Sequence, residues 1–158
     1  MLTDASIDTL KDLCSMDAQP GELAPVPTPA FTGTIPLGHD LRGVVMIRVS
    51  REMGLACLQS MMPAETADEH ALRDAVGEVA NVIAGSLIQR LAGIGLEVEI
   101  GVPLVSHEEP TIARAEGRAE GRVERVHLRV SSPGQAHPVT VFCSYDRPVA
   151  GDKGVRGR

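Results

Sequence analysis

Residues 68–91 read DEHALRDAVGEVANVIAGSLIQRL. At about 100° of rotation per residue, Leu72, Val76, Val79, Ile83 and Leu87 fall on one stripe, which predicts an amphipathic helix with that side facing a core. The opposite face carries Asp74, Glu78, Asn81 and Gly85. Glu78 and Asn81 stand three residues apart, so their side chains are neighbours that can reach one partner together. Around them lie Gly77, Ala84 and Gly85. A glycine inside a helix costs about 1 kcal/mol relative to alanine, and asparagine some tenths. A Glu and an Asn on a polar helix face are most often simply solvated. A helix that gives up stability at Gly77, Asn81 and Gly85 is a functional signal all the same. It makes sense if a bulky partner comes close beside a carboxylate and a carboxamide.

Working outward, Gly93 and Gly95 end this helix. Before it, Arg51–Met62 predicts a shorter helix, with Ser50 as its cap, Met53, Ala56, Cys57, Ser60 and Met61 on its buried side, and Pro63 as its stop. Phe31–Ile35 and the nearly continuous apolar run Gly43–Val49 flank the turn Gly38-His39-Asp40 and predict a β-hairpin, whose first strand ends at Pro36. After the long helix, Leu96–Val105 alternates as a strand, with an edge or bend at Pro103. Val123–Val130 alternates well, and Val139–Tyr145 is a last strand after the turn Ser131–Pro138. The stretch Ser106–Arg122, with AEGRAEGR from Ala115, reads as an exposed loop or a frayed extension of the sheet.

The order β-β-α-α-β-β-β predicts an α+β fold: a largely antiparallel sheet with two consecutive helices packed on one face. Residues 31–147 form this domain. Residues 1–30 form a short helix, Ser6–Met16 with Ser6 as cap, and a linker or edge segment, Gln19–Pro29, holding four prolines. Sequence leaves open whether that helix is a mobile arm or packs back. Residues 148–158 read as a disordered tail.

Composition narrows the function. The 158 residues carry a formal charge of −6, and their aromatics are Phe31, Phe142 and Tyr145. A basic surface and a stacking platform are both missing, which argues against nucleic acid. No apolar run approaches the ~20 residues of a membrane span, and the acidic start MLTDASIDTL is no secretory signal. Cys14, Cys57 and Cys143 are far apart and lack CxxC spacing, so three free, buried thiols in a reducing cytoplasm are expected. The five histidines show no HxH or HxxxH pair, so no metal site of the chain's own is expected. GxSxG and GxxxxGK[ST] are absent, which removes the usual hydrolase elbow and the P-loop.

The segment Asp74-Ala75-Val76-Gly77-Glu78-Val79-Ala80-Asn81-Val82-Ile83-Ala84-Gly85 resembles the D-x-x-G-E-x-x-N-x-I-x-G helix of the CheC/CheX-type chemotaxis phosphatases. The resemblance extends to the strand–turn–strand Phe31–Val45, the helix Ser50–Met62 and the strand bearing Ile100-Gly101-Val102-Pro103, covering about Phe31–Val105. A single ExxN helix makes the chain CheX-like. The pattern departs at Ser106-His107-Glu108-Glu109, where members often show a glycine.

The resemblance implies a phosphatase acting on the aspartyl phosphate of a CheY-like response-regulator receiver in chemotaxis or two-component signalling. It implies Glu78 and Asn81 as the catalytic pair, with Asn81 orienting the attacking water and Glu78 docking on a receiver lysine. Gly77, Ala84 and Gly85 would allow close approach, and Asp74 would be a docking contact or a solvated acid. Mg²⁺ would come with the receiver, the chain having no cofactor of its own, and two chains would pair as a homodimer. The alternative is a non-catalytic adaptor for a receiver, which the proline-rich linker and N-terminal helix would suit.

Overall fold

The computed structural model describes residues 1–63, 66–109 and 121–146. The elements are α1 (Leu2–Cys14), β1 (Asp17–Pro20), β2 (Ala30–His39), β3 (Arg42–Ser50), α2 (Arg51–Met61), α3 (Glu69–Ala92), β4 (Val98–Ile100), β5 (Leu104–Ser106), β6 (Gly121–Ser132) and β7 (Gln135–Asp146). The strands form one antiparallel sheet in the order β1-β6-β7-β3-β2-β4, with β5 pairing further along the same edge of β2. The fold is the expected α+β arrangement.

Register explains the core. Gly33 pairs with Ile47, Ile47 with Val141, and Val141 with Val126, so these positions share one face. The strand residues Phe31, Ile35, Val45, Val49, Leu128, Val130 and Val139 join them in a single buried cluster with the helices. Three helices cover this face, not two. α1 contributes Leu2, Ala5 and Leu10, all 0 % exposed. It is no mobile arm, because its apolar stripe has the same sheet to bury against. It also starts four residues before the expected cap: Ser6 lies within the helix and donates to the Leu2 carbonyl. Part of the proline-rich segment does serve as an edge, with β1 pairing along β6 from Asp17↔Ser131 to Pro20↔Leu128.

Two prolines sit inside strands where sequence alone expected breaks. β2 runs through Pro36, whose carbonyl accepts from Gly101 N–H. A residue's N–H and C=O point to the same side of a strand, so the donor that Pro36 lacks belongs to the gap between β4 and β5. β7 continues through Pro138, which pairs with Arg129 on β6 but lies beyond the last β3 partner, Thr140. The single strand expected over Leu96–Val105 is interrupted at Gly101–Pro103 and becomes β4 and β5. The β6–β7 turn is tight, with Gly134 at φ +80°, a conformation that glycine adopts without strain. The AEGRAEGR stretch, up to residue 120, and the expected tail lie outside the described residues.

Candidate functional site

The long helix is anchored at both ends. Asp68 caps it, its carboxylate accepting from Ala71 N–H at 2.8 Å, and the chain leaves through Gly95 at φ +85°. Near its start, Arg73 donates to the Val105 carbonyl at 2.9 Å, and Glu69 bonds Arg51 and His107. Near its end, Arg90 pairs with Asp8 of α1 at 2.6 Å and donates to Ser86 Oγ. The predicted stripe Leu72, Val76, Val79, Ile83 and Leu87 is buried throughout. The polar ridge is therefore carried on a helix fixed by neighbours on several sides.

On that ridge Asp74 and Glu78 are exposed, and Asn81 and Gly85 are half-buried. Asp74 lies 3.4 Å from His70, one turn earlier. Among the described residues, neither the Glu78 carboxylate nor the Asn81 carboxamide makes a side-chain hydrogen bond or ion pair. Both groups are open to a visitor. A half-buried amide with no internal partner has its donor and acceptor capacity unspent.

The small residues divide. A Cβ on Gly77 would lie 3.3 Å from Val105 Cγ2 and 3.6 Å from Pro103 Cβ. Its bareness therefore seats the β4–β5 segment of the same chain, and Gly77 is buried. Ala84 follows seven residues later on the same flank and is 0 % exposed, part of the core. Neither is open to a partner, which corrects the expectation for both. Gly85 is different: a Cβ there would meet nothing within 4 Å.

Asn81 and Gly85 border an open depression of about 510 Å³ between α3 and α1. Its other wall is made by Asp8, Asp12 and Leu13 of α1, with Ile100 of β4 also lining it. Sequence reasoning missed this wall, because the packing of α1 was undetermined. The available signal was the i,i+4 pair Asp8 and Asp12, which shares one helix face. Among the described residues, no three His, Cys, Asp or Glu side chains gather as a metal site. Cys14, Cys57 and Cys143 are free and buried, and burial pushes the Cys143 thiol up to about 12. Among the described residues, no helix is long and apolar enough to cross a membrane.

Comparison with known proteins agrees with this fold. The family described as chemotaxis phosphatase CheX matches residues 31–126. Among curated proteins, none matches the sequence significantly. Solved structures resemble the fold at low identity. The CheX–CheY–BeF3–Mg²⁺ complex from Borrelia burgdorferi contains a chain 18% identical, with TM-score 0.69, covering 92% of this chain and 96% of that one. Chemotaxis protein CheX from Vibrio vulnificus is 20% identical with TM-score 0.71, covering 92% and 93%. CheX from Desulfovibrio desulfuricans is 15% identical with TM-score 0.68, covering 92% and 96%.

Proposed function

The chain belongs to the CheX family of chemotaxis phosphatases, and from that premise we propose that it hydrolyses the aspartyl phosphate of a CheY-like receiver, with Asn81 and Glu78 as the working pair. The observation that carries this reading is the free carboxylate and carboxamide, three residues apart on one helix ridge beside an open groove. The Borrelia relative, solved in complex with CheY, BeF3 and Mg²⁺, supports a receiver as partner.

In this reading α3 lies across the receiver's phosphorylated pocket. The Asn81 amide donates to one neighbour and accepts from another, so it holds a water in line with phosphorus without taking its proton. Water adds to phosphorus, the bond to the aspartyl oxygen breaks, and inorganic phosphate and a free carboxylate result. Phosphoryl transfer depends mostly on positioning and electrostatics, which a rigid helix and a fixed amide can supply. Glu78 pairs with a receiver lysine in a charge-assisted bond and sets the docking register. Mg²⁺ arrives with the receiver. The same family reading pairs two copies of the chain, and light scattering in solution checks the mass.

The test is the decay of phosphate on receivers of the same organism. Asn81→Ala should abolish the acceleration and keep docking, whereas Glu78→Ala should mainly weaken docking. Full activity in Asn81→Ala would sink the mechanism. Preferential binding of phosphorylated receiver with no shortening of its phosphate lifetime would instead make the chain an adaptor. The N-terminal helix, built into the core, offers that alternative no free arm.

A further inference from the structure

The groove beside Asn81 has a second wall that the polar ridge of α3 does not supply. Asp8, Thr9, Asp12 and Leu13 of α1 face Asn81 and Gly85 across it. A visitor that reaches the Asn81 carboxamide through this groove also meets α1. We infer that a receiver docks across both helices, and that Asp12 is a specificity-determining contact that favours receivers with a basic residue beside the phosphorylated pocket. This rests on the receiver reading above and adds to it a surface outside the ExxN helix.

Four observations carry the inference. Asp8 is already engaged by Arg90 at 2.6 Å, and Arg90 in turn donates to Ser86. That bridge ties α1 to α3 beside the buried Leu2, Ala5 and Leu10. Asp12, one turn on, is exposed and makes no hydrogen bond or ion pair among the described residues. It also sits in the last turn of α1, which ends at Cys14, where a negative charge opposes the helix dipole. The fold gains nothing from a carboxylate there. Thirdly, Gly85 leaves the groove open although nothing in the chain occupies the space a Cβ would take. Finally, the Thr9 hydroxyl, on a residue 3 % exposed, finds no hydrogen-bond partner among the described residues.

Charge then selects the visitor. The ridge and the α1 wall together present Asp74, Glu78 and Asp12. The nearby cation Arg90 is spent on Asp8, and Lys11 does not line the groove. Such a rim disfavours a bare phosphate dianion. It favours a phosphorylated pocket ringed by the receiver's own positive groups.

The experiment uses the full chain with Asp12→Asn and Asp12→Lys, and Asn81→Ala as a control. Receivers of the same organism are phosphorylated in place with phosphoramidate and Mg²⁺, and phosphate loss is followed over a range of receiver concentration. A rim charge acts mainly on encounter, so Asp12→Lys should raise the half-saturating receiver concentration about tenfold at low salt, with maximal rate nearly unchanged. The gap should close as salt screens it, and Asp12→Asn should fall between. Because Asp12 opposes the helix dipole, both variants should melt at the wild-type temperature or above, which a merely structural role would not give. A half-saturation unmoved by Asp12→Lys, with wild type active and Asn81→Ala inactive, overturns the second wall alone. If wild type binds without turnover, affinity for the beryllofluoride-loaded receiver replaces half-saturation, with the same two outcomes. If wild type neither turns over nor binds any receiver, the receiver reading falls and takes this inference with it.

Discussion

Gly33 is where α3 rests on the sheet, and Gly33→Ala tests that seating. A Cβ at Gly33 would lie 3.1 Å from Ala80 Cβ, 3.3 Å from Ile47 Cγ2 and 3.3 Å from the Val76 carbonyl oxygen. None of these is the loose end of a flexible side chain. The carbonyl belongs to the α3 backbone, the Ala80 methyl moves only with that backbone, and Ile47 is 0 % exposed with a stiff β-branched rotamer. Relief requires α3 to lift by a few tenths of an ångström, against the Arg73 and Arg90 ties at its two ends. Overpacking of this kind costs about 1–3 kcal/mol, and the stiffer unfolded chain returns about 0.4–1 kcal/mol. The net expectation is a loss of about 1–2 kcal/mol, or roughly 2–8 °C in Tm for a domain of this size. Urea unfolding followed by far-ultraviolet dichroism measures it. Ala80→Gly removes the nearest atom, so the double variant should be less destabilised than the sum of the singles by at least about 0.5 kcal/mol. A stabilised Gly33→Ala, or strictly additive singles, would refute the seating. Asn81 follows Ala80, so turnover should fall along with stability.

Two further expectations concern what holds α3 and its neighbours. Leu10 is fully buried and borders a gap too small for water with Ile47, Val49, Met53 and Cys57, so Leu10→Ala should cost about 2–5 kcal/mol in urea unfolding; a loss under about 1 kcal/mol would mean that α1 is not part of the core. Glu69 is the other. Its hydrogen bond from His107, then those from Arg51 and Arg73, hold its carboxyl below the ordinary 4.5, outweighing a push upward from burial. The folded value lies below the unfolded one, so the stabilisation is complete above that ordinary value and disappears as pH falls through the lowered one. The advantage of wild type over His107→Gln in thermal melts should therefore shrink below about pH 4.5.

The helices and hairpin that build the site were legible because their signals are local. Ser50 caps α2 as its position suggests, accepting from Met53 N–H at 3.1 Å, and Asp68 does the same for α3, accepting from Ala71 N–H. The apolar stripe of α3 needs only its own spacing to be seen. What escaped depends on partners distant in sequence. Pro36 looks like a strand end until β4 and β5 leave a gap opposite it. Pro138 looks like part of a turn until the register shows β3 stopping short of it. Sequence alone points to Ser6 as the start of α1, because a serine before an apolar stripe is a good cap. The buried Leu2 and Ala5, which extend the helix backward, are informative only once a sheet lies beneath them.

The two glycines of α3 show where such reading ends and what a structure adds. Both lower helix propensity by about the same amount, and both suggested something large nearby. For Gly77 the large body is the chain's own β4–β5 segment, with Val105 Cγ2 at 3.3 Å from the absent methyl. That contact supports the strand edge and places Glu78, the next residue, just outside it. Gly85 has no such neighbour, so its cost is unanswered inside the domain. The same holds for the unpaired Asn81 amide, and for Asp12 at the wrong end of a helix dipole. Among the described residues, these are three local choices that the fold itself does not need, and Asn81, Gly85 and Asp12 all border one groove. Conflicts between local preference and fold gather at functional sites. Their convergence on that groove, with Asn81 on its border, is therefore a stronger argument for a docked partner than the ExxN spacing is alone.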